Sequence, residues 1–126
     1  MSEQKQTVVF DFDGVIHSYK SGWQGEDVIP APPVNGIRLA ISQLRNYDRV
    51  VVVSTRGASE CGRRAIMEYL EKHNILVDDV VKEKPPAVCY IDDRAICFDG
   101  YADTLLRRVL TFKPWYQRGR EGADNE

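Results

Sequence analysis

Two apolar runs without polar alternation constrain the fold of this chain more than any other feature. The runs are Val8–Phe10, inside the sequence TVVFDF, and Val50–Val53, inside RVVVVS. A strand that is apolar at consecutive positions is buried on both faces, as happens in parallel sheets that are covered by helices. We therefore predict two central strands, at residues 7–12 and 49–54.

Segments with helical spacing alternate with these strands. Helices are predicted over residues 33–46, 59–73 and 101–110, and shorter strands over residues 77–81, 88–91 and 95–98. Such alternation is typical of an α/β fold with a parallel sheet. The expected architecture is a Rossmann-like three-layer sandwich, in which helices cover both faces of a central parallel sheet of about five strands. The Gly- and Pro-rich residues 14–32 are predicted to form a long loop or a small flap.

Length, charge and cysteine content narrow the class of protein. The 126 residues favour one domain over 1–126, with a polar tail from about 118. A net charge of −2 gives no general preference for nucleic acid or anionic membranes, and no apolar stretch approaches the roughly 20 residues that span a bilayer. Cys61, Cys89 and Cys97 lack metal-site spacing, so we interpret them as buried, reduced thiols of a cytoplasmic protein.

Polar side chains cluster where the predicted strands end. They are Asp11 and Asp13 after the first strand, Ser54, Thr55 and Arg56 after the second, Lys84 before the fourth, and Asp92 and Asp93 after it. Carboxylates in apolar surroundings are costly unless they are paired or bind a metal. Parallel strands bring their carboxyl ends to one edge, where α/β proteins bind ligands. Acids, a lysine and a hydroxyl at one edge suit Mg²⁺ and a phosphoryl group.

Four segments resemble the motifs of the haloacid dehalogenase-like (HAD) superfamily. They are VVFDFDGVI, VVVSTR, KEKPP and VCYIDDRA, which occur in the family's order and cover residues 8–94. The resemblance implies a Mg²⁺-dependent phosphatase that hydrolyses a phosphomonoester through an aspartyl-phosphate. Neither gap in which the family inserts a cap domain has enough residues for one, so a capless member is expected.

The resemblance assigns the chemistry to four residues. Asp11 would be the nucleophile and a metal ligand. Asp13 would be the general acid/base, with its backbone carbonyl on the metal, and Asp92 would be the third protein ligand to Mg²⁺. Lys84 would neutralise the phosphoaspartate, although Lys82 lies close enough in the sequence to compete for this role.

Five further residues would support the reaction. Ser54 and Thr55 would bind the substrate phosphate, although a cap on the following helix is an alternative role. Asp93 would contact the metal site or Lys84, and Arg94 would lie beside the metal site. The segments STR and IDDR are also similar to signatures in the phosphatase half of phage polynucleotide kinase-phosphatases, and that likeness would give Arg56 a phosphate-binding role.

The expected substrate is phosphorylated, either a small molecule or a nucleic-acid end, including a 3′ end. The open site of a capless member suits bulky substrates such as nucleic-acid ends or proteins. His17, Tyr19 and Trp23 in the flap are candidate contacts to a base or sugar, and at least one of them is expected to pack on the core instead. The basic and aromatic segment from Phe112 to Arg118 resembles single-strand binders, but docking on the core is favoured.

Two rival functions remain open. A response-regulator receiver also gathers acids, a hydroxyl and a lysine at a sheet edge, but its acidic pair comes early and its lysine last. The order here is DxD, Ser, Lys and DD, which disfavours a receiver. A HAD-like scaffold that only binds is disfavoured because no residue of the four motifs is missing.

Overall fold

A computed structural model gives the structure of the chain and describes residues 5–118. The chain divides into two compact units, with the boundary between Ile91 and Asp92. Within the described part of the chain, no helix combines the length and the apolar character that crossing a membrane requires.

The first unit is an α/β structure built on a parallel sheet. Its elements are β1 (Thr7–Asp11), α1 (Ile37–Leu44), β2 (Arg49–Val53), a 3₁₀ turn (Thr55–Ala58), α2 (Glu60–Lys72), β3 (Asp79–Val81) and β4 (Cys89–Ile91). The sheet has four strands in the order β3-β2-β1-β4, and every pairing is parallel. The predicted α/β class and parallel sheet are therefore confirmed.

Alternate residues of the two central strands face one hydrophobic core. That core includes Val8 and Phe10 of β1, Val50 and Val52 of β2, Ile41 of α1, and Ile66 and Leu70 of α2. Since residues two apart in a strand share a face, α1 and α2 both cover the same face of the sheet. Val9 and Val51 point to the other face and are also buried, which explains why the apolar runs do not alternate.

The strand order places a topological switch point beside β1. The chain runs from β1 outward through β2 to β3 and then returns to the opposite side of β1 as β4. Phe10 is in register with Val52 on one side and with Ile91 on the other. Ligand sites in α/β sheets form outside the carboxyl ends of the strands at such a reversal. Asp11, the last residue of β1, lies at this position.

The first helix begins later than predicted. The predicted start at Pro33 is wrong, because residues 32–34 pair with the beginning of the segment 14–32. The Ser18 amide donates to the Pro32 carbonyl, and the Val34 amide donates to the Ile16 carbonyl. Gly36, with a φ of 83°, makes the left-handed turn that admits α1 at Ile37.

The second unit contains a 3₁₀ turn (Ala102–Thr104) and α3 (Leu105–Leu110). The predicted helix over 101–110 is thus helical for its last six residues. The predicted strand over 95–98 is wrong, since these residues are irregular and Phe98 is exposed. A run of four apolar residues does not distinguish a strand from a loop. The predicted tail lies outside the described residues, apart from Arg118.

The expectation of buried thiols is also wrong. All three cysteines are exposed. Cys61 lies in the first turn of α2, Cys89 begins the edge strand β4, and Cys97 lies in the irregular segment after it. The apolar neighbours of Cys89 and Cys97 in the sequence are themselves exposed or only partly buried, so an apolar run was a poor guide to burial here.

Asp78 links the end of α1 to the start of β2, and its removal should destabilise the fold in a pH-dependent way. Its carboxylate accepts hydrogen bonds from Arg45, the closest at 3.0 Å, and from the Val50 amide at 2.7 Å. The Arg45 bonds, with help from Val50, outweigh burial and lower the pKa of Asp78 below 3.8. The contribution is therefore present above that pH and is lost as the pH falls below it.

Asp78→Ala should accordingly lower the free energy of unfolding at pH 7 by about 1–2 kcal/mol. Urea unfolding at pH 7 and pH 3 measures this, and the difference from wild type should shrink at pH 3. Glu68→Ala, at an exposed position of α2, serves as the control and should change little. An equal loss at both pH values would contradict the assignment.

Candidate active site

Asp13 and Arg56 form a close ion pair at the carboxyl end of the sheet. Arg56 Nη2 donates to Asp13 Oδ1 at 2.9 Å, and Arg56 Nε donates to Oδ2 at 3.1 Å. Such a two-bond arrangement fixes the plane of the carboxylate as well as its charge. The Arg56 side chain is fully buried, and that of Asp13 is 17% exposed.

The same guanidinium attaches the flap, defined here as residues 14–32. Arg56 Nη1 donates to three flap carbonyls, those of Gly25 at 2.8 Å, Glu26 at 3.0 Å and Val28 at 3.2 Å. The Trp23 ring lies against it, with 4.6 Å between the guanidinium carbon and the ring centroid. A segment without helix or strand thus has three of its main-chain acceptors satisfied by one buried side chain.

Local structure after β2 explains how Arg56 reaches this place. The Ser54 hydroxyl accepts the Arg56 amide at 3.1 Å and caps the 3₁₀ turn. Gly62 in the first turn of α2 lets α2 lie close to the 3₁₀ turn, because a Cβ at Gly62 would overlap the Arg56 carbonyl. The capping role considered for Ser54 is therefore present, and its hydroxyl hydrogen is still available to a substrate.

His17 also contacts Asp13. Its Nδ1 lies 2.8 Å from Asp13 Oδ1, and its Nε2 accepts the Ala31 amide at 3.1 Å. The ring is completely buried, stacked on Phe12 and edge-on to Tyr69. His17 therefore packs the flap on the core, as expected for at least one flap side chain, and the structure does not support it as a substrate contact.

These partners determine the charge of Asp13. Burial raises the pKa of Asp13, but hydrogen bonds from His17 and Arg56, together with the positive charge of Arg56, outweigh burial and lower that pKa below its ordinary 3.8. Burial and the negative charge of Asp13 raise the pKa of the Tyr69 hydroxyl, which stays protonated and donates to the Ala31 carbonyl. The site thus contains a stable carboxylate at neutral pH.

Tyr19 and Trp23, the other two flap candidates, keep access to solvent. Trp23 is 54% exposed although its ring packs on Arg56. Tyr19 is partly buried, has a φ of 63° and packs edge-on to His17. Of the three flap candidates, Trp23 therefore offers the most surface to a ligand.

Asp11 and Ser54 lie at adjacent strand ends. Asp11 is in register with Val53, the residue before Ser54, and Asp11 Oδ1 accepts the Phe12 amide at 2.8 Å. Thr55 follows as an exposed residue. Lys84 lies in the connection to β4, where its ammonium is 4.8 Å from the centroid of the Tyr90 ring. The Lys84 side chain thus contacts a residue of β4.

The second unit begins with the acidic pair. Asp92 directly follows β4, and its Oδ1 accepts the Arg94 amide at 2.8 Å. The side chain of Asp93 is 3% exposed, and its Oδ2 lies 4.0 Å from Arg94 Nε. Arg94 also donates to the Tyr116 hydroxyl at 3.3 Å, so part of the basic and aromatic segment packs within this unit.

Sequence reasoning missed the network that joins Asp13, His17, Arg56 and Ala31. The spacing of Asp13 and His17 offered a weak signal, and nothing in the sequence connects Arg56 to carbonyls of the flap. Backbone acceptors carry no residue-specific pattern, so such contacts appear only in the structure.

Comparisons of the chain with family models, with curated proteins and with solved structures found no match.

Proposed function

We propose that this chain is a Mg²⁺-dependent phosphatase of the capless HAD type, which hydrolyses a phosphomonoester through an aspartyl-phosphate. The observation that supports it most is the position of Asp11 at the switch point of a parallel sheet, where the strand order reverses. The proposal includes the three-layer architecture and the cytoplasmic location that the sequence predicts.

The donor chemistry suits Mg²⁺. Asp11 ends β1 and Asp92 follows β4, the strand paired with β1 in parallel register. Carboxylate oxygens are ligands that Mg²⁺ prefers. Both side-chain oxygens of Asp13 are already engaged by Arg56 and His17, which leaves its backbone carbonyl as a possible ligand. Bound Mg²⁺ would offset the repulsion between a carboxylate and an anionic phosphate.

The protein side chains account for the two chemical steps. A carboxylate oxygen of Asp11 attacks phosphorus, the bond from phosphorus to the ester oxygen breaks, and Asp13 gives the departing oxygen a proton. Water then attacks phosphorus, Asp13 accepts a proton from it, and phosphate and free Asp11 are released. Since Arg56 and His17 stabilise the ionised Asp13, the proton needed for the first step must bind as the charge of the substrate arrives.

Removing divalent metal tests the proposal. EDTA should abolish hydrolysis of p-nitrophenyl phosphate, and Mg²⁺ should restore it. Mg²⁺ should also raise the melting temperature, because a ligand that binds only the folded state stabilises it. Asp11→Asn should reduce that increase, whereas Asp79→Asn, at the start of β3, should not. Full activity in chelator would contradict the metal requirement.

Trp23 should select substrates without taking part in the chemistry. One side of its ring packs on Arg56, and the exposed remainder can stack on a base. Trp23→Ala should raise KM for a 3′-phosphorylated oligonucleotide by about 10–100-fold, given roughly 1–3 kcal/mol per stacked base. Hydrolysis of p-nitrophenyl phosphate should be nearly unchanged.

Tyr47→Ala provides the control, since it removes an exposed aromatic side chain just before β2, at the end of that strand opposite Ser54. Equal losses on both substrates in Trp23→Ala would mean that the ring supports Arg56 and does not select the substrate. No change on either substrate would exclude the flap contact.

A further inference from the structure

Ala31 attaches the end of the flap through both of its backbone polar groups. It lies between Pro30 and Pro32, which have no N–H, so its amide is the single main-chain donor of that tripeptide. This amide donates to His17 Nε2 at 3.1 Å, and the Ala31 carbonyl accepts the Tyr69 hydroxyl at 2.9 Å. The flap therefore ends in a rigid segment whose one donor is directed at His17.

That hydrogen bond determines the tautomer of His17. A ring nitrogen that accepts an N–H carries no proton, so the proton of the neutral ring is on Nδ1. Nδ1 lies 2.8 Å from Asp13 Oδ1 and donates to it. The Nε2–H tautomer is incompatible with the Ala31 contact. The backbone of the flap thus selects the nitrogen that donates to Asp13.

Packing fixes the direction of this donor. The His17 ring has no exposed surface and lies 5.8 Å from the Phe12 ring at an interplanar angle of 22°. Tyr69 closes another side, with 5.5 Å between ring centroids. Arg56 donates to the same Asp13 oxygen at 2.9 Å. Two buried donors therefore set the orientation of a carboxylate whose own side chain still reaches the surface.

We infer that His17 is a positioning residue for Asp13. Through His17, the position of the flap determines the orientation of the carboxylate that acts as acid and base in the reaction. The inference rests on the proposed phosphatase function and extends it: a substrate bound at the flap would influence the chemical step through His17. General acid/base catalysis supplies about 10²–10⁴-fold, and a displacement of about 1 Å removes about 10²-fold. Loss of the His17 donor should therefore affect kcat more than KM.

The tautomer can be measured without any activity. The chain has only two histidines, His17 and His73, so ¹⁵N-histidine labelling gives a simple spectrum, and His73→Gln assigns it. Nitrogen shifts recorded at high pH, where an imidazole is neutral, should show the His17 proton on Nδ1. A proton on Nε2 of the neutral ring would overturn the inference.

Two substitutions separate the two hydrogen bonds of the ring. His17→Asn keeps an amide donor near the place of Nδ1 and loses the acceptor for Ala31. His17→Gln offers an acceptor near the place of Nε2 and loses the donor to Asp13. In His17→Gln, kcat should fall by about 10–100-fold with KM within about threefold of wild type, whereas His17→Asn should retain more kcat. Equal kcat values, or kcat values that follow the melting temperatures, would overturn the inference.

Two esters with different leaving groups provide the last test of the role of His17. An alkyl oxygen needs a proton to depart, whereas p-nitrophenolate does not, so His17→Gln should lose more activity on an alkyl phosphate than on p-nitrophenyl phosphate. An active wild type with equal losses on both esters overturns the role of His17 and leaves the phosphatase function intact. A wild type inactive on both esters and on a phosphorylated oligonucleotide overturns the proposed function and, with it, the catalytic role of His17.

Discussion

Asp11→Asn should reduce phosphatase turnover by at least about 10³-fold, because an amide cannot form the aspartyl-phosphate on which the proposed reaction depends. Asp11 ends β1 in register with Val53 and is only partly buried, whereas its neighbours Phe10 and Phe12 supply the core contacts. The variant should therefore fold. Single-turnover measurements with p-nitrophenyl phosphate, together with circular dichroism and thermal melting, test both expectations.

Asp79→Asn is the matched control for this substitution. Asp79 begins β3 at the opposite end of its strand and is half exposed in an ion pair with Arg49. It should retain nearly full activity. Substantial turnover by Asp11→Asn would exclude Asp11 as the nucleophile, and equal losses in the two variants would indicate a general effect of removing a carboxylate.

Arg56→Met should cause a large loss of stability in the first unit. It removes the partner of Asp13 and the donors to three flap carbonyls, all at a buried position. Leaving one member of a buried ion pair without its partner costs about 3–5 kcal/mol. The melting temperature should consequently fall by at least about 10 °C. Turnover should fall as well, since Asp13 loses the group that orients it.

Arg64→Met provides the comparison, because Arg64 forms an exposed pair with Glu60 on α2. Such pairs contribute roughly 0–1 kcal/mol, so this variant should melt close to wild type. Arg56→Lys should lie between the two, since one ammonium cannot replace a bidentate contact and several carbonyl bonds together. Similar melting temperatures for Arg56→Met and Arg64→Met would contradict the central place of Arg56.

The sequence predicted the centre of the sheet better than its margins. The apolar run of β2 is visible because the strand is buried on both faces, whereas the four apolar residues from Ala95 to Phe98 gave a false strand. The beginning of α1 was misplaced because the extended residues after Pro32 pair with the flap, and that pairing depends on residues far away in the sequence.

The sequence likewise predicted only part of the candidate site. Asp11 could be placed from the sequence because the carboxyl end of a parallel strand is defined by the strand itself. The partners of Asp13 could not, since Arg56 is 43 positions away and its other acceptors are backbone carbonyls. His17 carried a double interpretation, as a ligand contact or a packing residue, that only its burial decided.

The attachment of the flap to one guanidinium has a consequence for how the protein fluctuates. Three carbonyls between Gly25 and Val28 share the same donor, and the Ala31 amide depends on the buried ring of His17. These bonds cannot be broken one by one without leaving buried groups unsatisfied. Opening of the flap is therefore a cooperative event with a single free energy, and its protected amides should exchange with solvent together, as one sub-global unit.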